Sequence, residues 1–478
     1  MRSWKRIDSV SAARVPANRS LSLLLAAVAV CLGATHLSAQ TSRAKAALPA
    51  LAGEPDYRSP DQRPQHDDAH LSTLGIASIQ SKRLKLYSDG PLDRLKSIGP
   101  AVDALYDALV EYFGPLPPAR DKSEFAVTGY LMTDKSRFRN AGLLPEELPP
   151  FLNGRHRGLE FWVNEQETDY YRRHLILHEF THCFMYAPEG VEMPVWYSEG
   201  MAELFGTHTV DAAGHYQFRV MPDRNEKFRG HGRIPLIRSE IAANHWKSLR
   251  DVTRITAQDF LQTPAYAWSW ALCALLDGNP RYSSKFRQLS HHRGYGQFAA
   301  AFRELFGDSL DELRTEWSLF SHELQYGFDL KRAAIDFKPG KPLVPNDPSW
   351  PIDVAADRGW QSSGVLVRAG AEYEITATGE VTLGTSPKPW ISQPPGVSIV
   401  YSEGHPIGLL LAAVHREPPA TDPATEESML RQIAVGRGVR FTPSVGGTLY
   451  FRINDHWNSL ADNDGHYRVT VRELSAPK

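Results

Sequence analysis

Apolar residues recur along this chain with two different periods, and the change falls near residue 330. Before it, helical and strand patterns mix. Residues 83–87 alternate like a short strand, and Ser88-Asp89-Gly90-Pro91 supplies a turn. Val102, Leu105, Leu109 and Tyr112 share a helical spacing, which predicts a helix over 101–113. Strands are expected over 125–132 and 158–163. A long helix follows over 168–186, ended by Ala187-Pro188, because proline disfavours helix in the residue before it. A second helix is expected over about 195–205, with further helical patterns over 266–276 and 297–324. Residues 84–325 therefore read as α+β.

Beyond them, 338–348 is rich in Pro, Gly and Lys and reads as a linker. After it the pattern is all-β: Tyr373, Ile375 and Ala377 alternate with their neighbours, as do Leu449, Phe451 and Ile453, and Tyr467, Val469 and Val471. Short strands broken by Gly and Pro predict a sandwich or barrel. The expected fold class is an α+β domain followed by a β-sandwich, with boundaries 71–330, a linker over 331–349, and 350–478.

The chain has 478 residues, 42% of them hydrophobic, and a formal net charge of -2. It is long enough for two or three domains with cores, and nothing in its charge invites nucleic acid. The N-terminus changes the picture. Arg2, Lys5, Arg6, Arg14 and Arg19 precede an apolar run, Leu21 to Gly33, that is too short to span a bilayer. Leu37-Ser38-Ala39 offers small residues for cleavage. Residues 1–39 are expected to be a Sec signal peptide, which implies a periplasmic or extracellular protein. An uncleaved signal anchor is the alternative. Val30 before Cys31 does not make a lipoprotein box. Residues 40–70 read as a flexible leader, and no other stretch is apolar enough to span a membrane. Cys183 and Cys273 remain after cleavage, too few for a disulfide framework or a cysteine zinc site; they either pair or stay two buried thiols.

Within the long helix stands His178-Glu179-Phe180-Thr181-His182. Residues four apart share a helix face, so both imidazoles can reach one ion, with Glu179 beside it as general base. A candidate edge strand, 159–163, precedes the motif, and Trp196-Tyr197-Ser198-Glu199-Gly200-Met201-Ala202-Glu203 follows on the second helix. His174, one turn before His178, reads either as an extra ligand or a group supporting the ligands, or as a partly buried or exposed helix histidine, and the second is favoured because three donors are already in place. Phe161 and Trp162 could line a cleft but read, with Trp268 and Trp270, as core.

These residues resemble the gluzincin metallopeptidases, and within them the bacterial peptidase-MA-like group, over roughly 84–325. The resemblance implies zinc held by His178, His182 and Glu199, with Glu203 orienting a liganding histidine through its second ring nitrogen. Two imidazoles and a carboxylate leave a coordination position open, as a catalytic zinc site requires. The segment 133–138 and the Tyr266-Ala267-Trp268-Ser269-Trp270-Ala271-Leu272 run continue the likeness, and Tyr266 takes the place of the family's oxyanion-stabilising tyrosine. The implied substrate is a peptide or protein. The motif does not separate endopeptidase from aminopeptidase. Two other readings stay open: a non-catalytic envelope or carbohydrate-binding protein with a structural zinc, and a zinc hydrolase of a non-peptide bond.

Near the C-terminus, Asp455, Ser459, Asp462 and Asn463 gather oxygen ligands of the kind calcium takes. Residues 350–474 resemble the PA-I galactophilic lectin, a calcium-dependent galactose-binding sandwich, in which these offsets carry the calcium ligands and Leu383 offers a backbone carbonyl. Ser459 and Asp462 depart from the Thr and Asn of that pattern. The lectin's sugar-gripping His and Gln have no clear counterpart over 394–405. A calcium-free turn is the alternative reading of the loop.

Overall fold

The computed structural model describes residues 57–294, 296–386, 388–416 and 428–474. The expected signal peptide over 1–39 and residues 40–56 of the expected leader lie outside the described residues. Residues 57–70, the rest of that leader, are mostly exposed but anchored at two points: Arg58 is 4% exposed and bridges Pro188 and Ala119, and His66 bonds the Tyr130 hydroxyl at 2.8 Å.

A short helix, α1 (Asp68–Thr73), precedes β1 (Ala77–Gln80), β2 (Leu84–Ser88), α2 (Ile98–Phe113), β3 (Val127–Met132), α3 (Lys135–Asn140), β4 (Gly154–Arg157) and β5 (Glu160–Asn164). The five strands form one sheet in the order β1-β2-β3-β5-β4, with β4 an antiparallel edge. Both faces are buried, so neighbouring residues serve different cores. Leu86, Leu131 and Phe161 face α2 and the long helix, whereas Tyr87, Tyr130 and Trp162 stack against Leu71, Phe138 and Leu143. Phe161 and Trp162 are core, as read from the sequence.

Helices α4 (Asp169–Met185) and α5 (Val195–Gly206) follow, then a small hairpin, β6 (His208–Val210) and β7 (Tyr216–Phe218). Thr168 caps α4, its hydroxyl accepting from the Tyr171 amide. Next come α6 (Arg233–Ala242), α7 (Leu249–Val252), α8 (Thr263–Gly278), α9 (Ser283–Leu289), α10 (Gln297–Phe306), α11 (Leu310–Glu323) and α12 (Leu330–Ala333). The single helical pattern expected over 297–324 is broken by a 3₁₀ turn at Gly307–Ser309. Cys183 and Cys273 are buried and unpaired. No helix among the described residues is long and apolar enough to cross a membrane.

The C-terminal strands are β8 (Lys341–Pro342), β9 (Ile352–Ala355), β10 (Gln361–Val367), β11 (Tyr373–Thr378), β12 (Val381–Leu383), β13 (Ile391–Ser392), β14 (Pro395–Ser402), β15 (His405–His415), β16 (Ile433–Ala434), β17 (Gly438–Phe441), β18 (Gly447–Ile453) and β19 (Asn463–Glu473). They form two sheets, β14-β15-β18-β10-β8 and β13-β12-β19-β11-β17, with β16 and β9 attached. Leu410, Ala412, Leu449 and Phe451 of one sheet meet Ile375, Tyr467 and Val469 of the other in a common core.

The segment expected as a linker is anchored at several points, although most of 338–348 is exposed. The Ile335 amide donates to Glu316 of α11 at 2.8 Å, Phe337 packs against His415 and Tyr450, and Lys341–Pro342 pairs with β10. The outward side chains Leu409, Leu411, Ala413 and Tyr450 join the core of the helices. Arg452 is fully buried, lies over the Trp457 ring at 3.6 Å and pairs with Glu323 at 3.4 Å. Trp457 in turn stacks on Phe328. The cause is β15, whose residues 407–414 are buried on both faces, one towards each core.

Candidate metal centre

Helix α4 carries His178 and His182 one turn apart, and α5 packs beside it to present Glu199. Gly200 makes that packing possible: a Cβ there would lie 2.6 Å from the Ser269 carbonyl of α8 and also strike Cys273. Nε2 of His178 and Nε2 of His182 are 3.1 Å apart, and each lies 3.3 and 3.2 Å respectively from Oε2 of Glu199. Donors about 2.0–2.1 Å from a tetrahedral zinc stand about 3.3 Å from one another. The three atoms therefore fit such an ion as they stand.

The electrostatics fit a cation as well. Burial disfavours the charged form of His178, yet hydrogen bonding to Glu199 and Glu203 outweighs it and raises the pKa to about 10. Burial pushes His182 down against the pull of Glu199. Burial would raise Glu199, but the imidazoles of His182 and His178 hold it well below the usual carboxylate range.

Glu203, one turn along α5, lies 3.4 Å from Nδ1 of His178. Three further groups surround it. Arg233 at the start of α6 donates two hydrogen bonds, at 2.9 and 2.8 Å; His174 stands at 3.3 Å and His231 at 3.8 Å. Desolvation opposes the charge on Glu203, but Arg233 and His174 hold its pKa far down. The sequence reading of His174 as an ordinary helix histidine is corrected here: it is fully buried in this network. A metal in place of that proton network is disfavoured by the Arg233 guanidinium at its centre.

Glu179 lies under β4. His156 of that strand approaches its carboxylate at 3.6 Å and stacks on His182 with centroids 4.5 Å apart. Above Glu179 and His178 opens a cavity of about 180 Å³, walled by Phe151, Tyr171, Phe260 and Tyr266. Leu152 and Leu261, 80% and 74% exposed, rim its two sides. Tyr266 on α8 has its ring 6.2 Å from that of His178, and burial among Glu199, Glu179 and Glu203 raises its pKa, so it keeps its proton. Sequence reasoning missed His156, His231, Arg233 and Gly154. No motif marks them, since they reach the centre from β4, from the segment before α6 and from α6 itself.

At the C-terminal candidate site, Asp455 is 3% exposed and accepts from the Asn463 side chain at 2.9 Å and the His456 amide at 2.7 Å. Burial raises its pKa. Asn463 is the register partner of Leu383 across β12 and β19, and its side-chain oxygen is buried without a hydrogen-bond partner. A Cβ on Gly384 would lie 3.1 Å from Asp462 Oδ2, which puts Asp462 at the same strand end. The Ser459 hydroxyl instead donates to Asn458 at 3.0 Å.

No family model and no curated protein sequence matches this chain. Among solved structures, the chain is similar to one described as the EclA N-terminal domain, a PllA-like lectin. The identity is 23% and the TM-score 0.20, over 26% of this chain and 97% of that one. It is also similar to an M1 zinc metallopeptidase mutant from Deinococcus radiodurans, at 12% identity and TM-score 0.27, over 51% of each chain. The match thus spans about half the length of that peptidase. Both scores are low, and neither likeness assigns an activity to this chain.

Proposed function

We propose that the chain is a zinc-dependent hydrolase of peptide bonds, exported by its N-terminal signal to the periplasm or beyond. The observation that carries the reading is the convergence of His178, His182 and Glu199 at the spacing of tetrahedral zinc donors, beside a cleft lined by the Glu179 carboxylate. Zinc held there supplies a Lewis acid and acidifies water. Glu179 takes the proton of the attacking water and passes it to the leaving amine. Tyr266 donates its hydroxyl to the oxygen of the carbonyl under attack. Glu203, fixed by Arg233, keeps His178 in the tautomer whose Nε2 faces the ligand point. The outer side of β4 has no strand partner, and a peptide can pair with it across the cleft.

The test is zinc content and hydrolysis of unstructured peptides by the mature protein, with Glu179→Gln as control. One zinc per chain and activity lost by orders of magnitude in the variant support the reading. Zinc bound with no hydrolysis of any peptide leaves a structural site. Cleavage confined to ester or other non-peptide probes points to a different bond.

A second reading concerns the sandwich. The Asn463 oxygen, unpartnered among the described residues and beside the buried Asp455 carboxylate, favours a calcium ion there. Calcium titration of native protein against Asp455→Asn, followed by calorimetry, checks it. Absence of any heat at millimolar calcium makes the loop a turn.

A further inference from the structure

A second and larger hollow, of about 450 Å³, opens at the far end of β4. The cleft over the metal ligands takes Gly154 and Arg155 of that strand, and the hollow takes Arg157 with the following Gly158 and Glu160. His156 stands between them. Its ring stacks on the ligand histidine His182 at 4.5 Å and on Tyr186 at 5.7 Å, and Tyr186 lines the hollow. An extended chain paired with the open side of β4 rises about 3.3 Å per residue. It would reach the hollow about three residues from the metal centre.

Three guanidinium groups, Arg58, Arg63 and Arg157, line the hollow against one acid, Glu160. Glu160 is already engaged: the Tyr130 hydroxyl donates to it at 2.8 Å, and Arg157 lies 4.0 Å away. Arg63 is matched by Asp61, at 2.9 and 2.7 Å, and Arg157 meets the exposed Glu147 at 3.0 Å. Arg58 differs. It is 4% exposed, and its backbone is stitched to Pro118 and Arg120 by bonds of 3.1 and 3.3 Å. One of its terminal nitrogens donates to the Ser123 carbonyl, and the other, Nη1, is buried with no partner among the described residues. Its neighbouring acids are otherwise occupied, Asp61 by Arg63 and Asp121 by the Ser123 amide and hydroxyl. A buried charged donor without an acceptor is costly and uncommon. Arg58 and Arg157 both line the hollow, and an anion there would sit in the field of their charges.

We propose that this hollow binds a carboxylate of the substrate, either an acidic side chain or the chain terminus, about three residues from the scissile bond. The inference rests on the peptidase reading above. It adds a substrate class: peptides with negative charge on one side of the cleavage point.

The test uses the full zinc-loaded protein and quenched-fluorescent peptides in pairs. One set differs only by Glu against Gln at each position in turn, and another by a free against an amidated C-terminus. The expected result is a preference of about tenfold in kcat/KM for the charged member at one position. That ratio should fall to near one in Arg157→Gln and in Arg58→Gln. The first of these alters a side chain that is 45% exposed, so the test survives if the second unfolds. The set that responds identifies the source of the carboxylate. Cleavage with no charge preference, or an undiminished ratio in Arg157→Gln, overturns the proposal and leaves the peptidase reading standing. Calorimetry of the Glu179→Gln protein with the same pairs separates the two ideas from the other side. Tighter binding of the charged peptide that depends on Arg157, with no cleavage by the native protein, keeps the hollow and removes the peptidase.

Discussion

Gly154 and Glu179 occupy each other's space. A Cβ built on Gly154 would overlap Oε1 of Glu179 and lie 3.1 Å from its Cδ and Cγ. The edge strand thus has a notch into which the carboxylate fits, and His156, two residues on and on the same face of the strand, bounds it from the other side. A base must sit within hydrogen-bond reach of the proton it removes, and a shift of about 1 Å can cost about 10²-fold in rate.

Gly154→Ala is therefore expected to lower hydrolysis by about 10²-fold, because the new methyl displaces Glu179. It should leave zinc stoichiometry unchanged, since the three atoms nearest the added methyl all belong to Glu179. Metal analysis and steady-state rates on the same preparation check this. Unchanged rates would show that Glu179 has room to move and still work.

The Arg233–Glu203 pair is buried on both sides, with side chains 6% and 1% exposed. Arg233→Met removes the cation and leaves the carboxylate among His174, His178 and His231. Breaking one half of a buried pair costs about 3–5 kcal/mol. Zinc affinity should weaken by about 10- to 100-fold, because Glu203 no longer fixes His178. Denaturant unfolding and a zinc competition titration read the two effects separately. A variant that loses stability but keeps native zinc affinity would confine Glu203 to a structural part.

Much of this centre is legible in the chain because it is local. Two histidines four apart on a helix converge by helix geometry alone, and the Trp196-to-Glu203 run supplies the third donor in a fixed frame. The groups that hold the centre in place are not local. His156 comes from the edge strand, His231 from a loop and Arg233 from α6, and nothing in their neighbours announces where the fold takes them. The β-sandwich strands with one buried face are readable by alternation, whereas β15 has none, being buried on both faces. Pro- and Gly-rich composition over 338–348 suggests a free linker. Ile335, Phe337 and the Lys341–Pro342 strand show why it is not one: composition says little about a segment that docks by a few side chains.

His415 gives the junction a pH dependence. It sits at the end of β15, its Nε2 3.2 Å from the Thr315 hydroxyl of α11, between Phe337 and Tyr450. Burial lowers its pKa from 6.5 to about 4, only partly opposed by Asp311. The folded state therefore binds fewer protons than the unfolded one. The stability it gives is complete above pH 6.5, falls as pH drops towards 4, and levels off below. The loss amounts to about 3 kcal/mol at most. Thermal melts between pH 7 and 4, native against His415→Gln, should show a steeper fall for the native protein. Parallel curves would mean that His415 is solvated at the junction.

The last prediction concerns whether the two halves can part. Leu409, Leu411, Ala413, Tyr450 and Trp457 belong to the helical core rather than to the sandwich's own. A fragment beginning at residue 350 would expose that face, which is too large and apolar to be left in water. It would also leave Arg452, fully buried in the chain, without Glu323. The isolated sandwich is expected to aggregate or to populate a loosely packed state, despite a closed core between its sheets. In the whole chain, helices and sandwich should unfold in one calorimetric transition, since Leu409, Leu411, Tyr450 and Trp457 share one core with the helices. Trp457→Ala should lower that single transition by about 3–5 kcal/mol of stability, the usual cost of emptying a large aromatic site. It should do so for the far-ultraviolet helical signal and the zinc-binding half alike. Two resolved transitions, only one of them moved by Trp457→Ala, would restore the linker reading and make the sandwich an independent module.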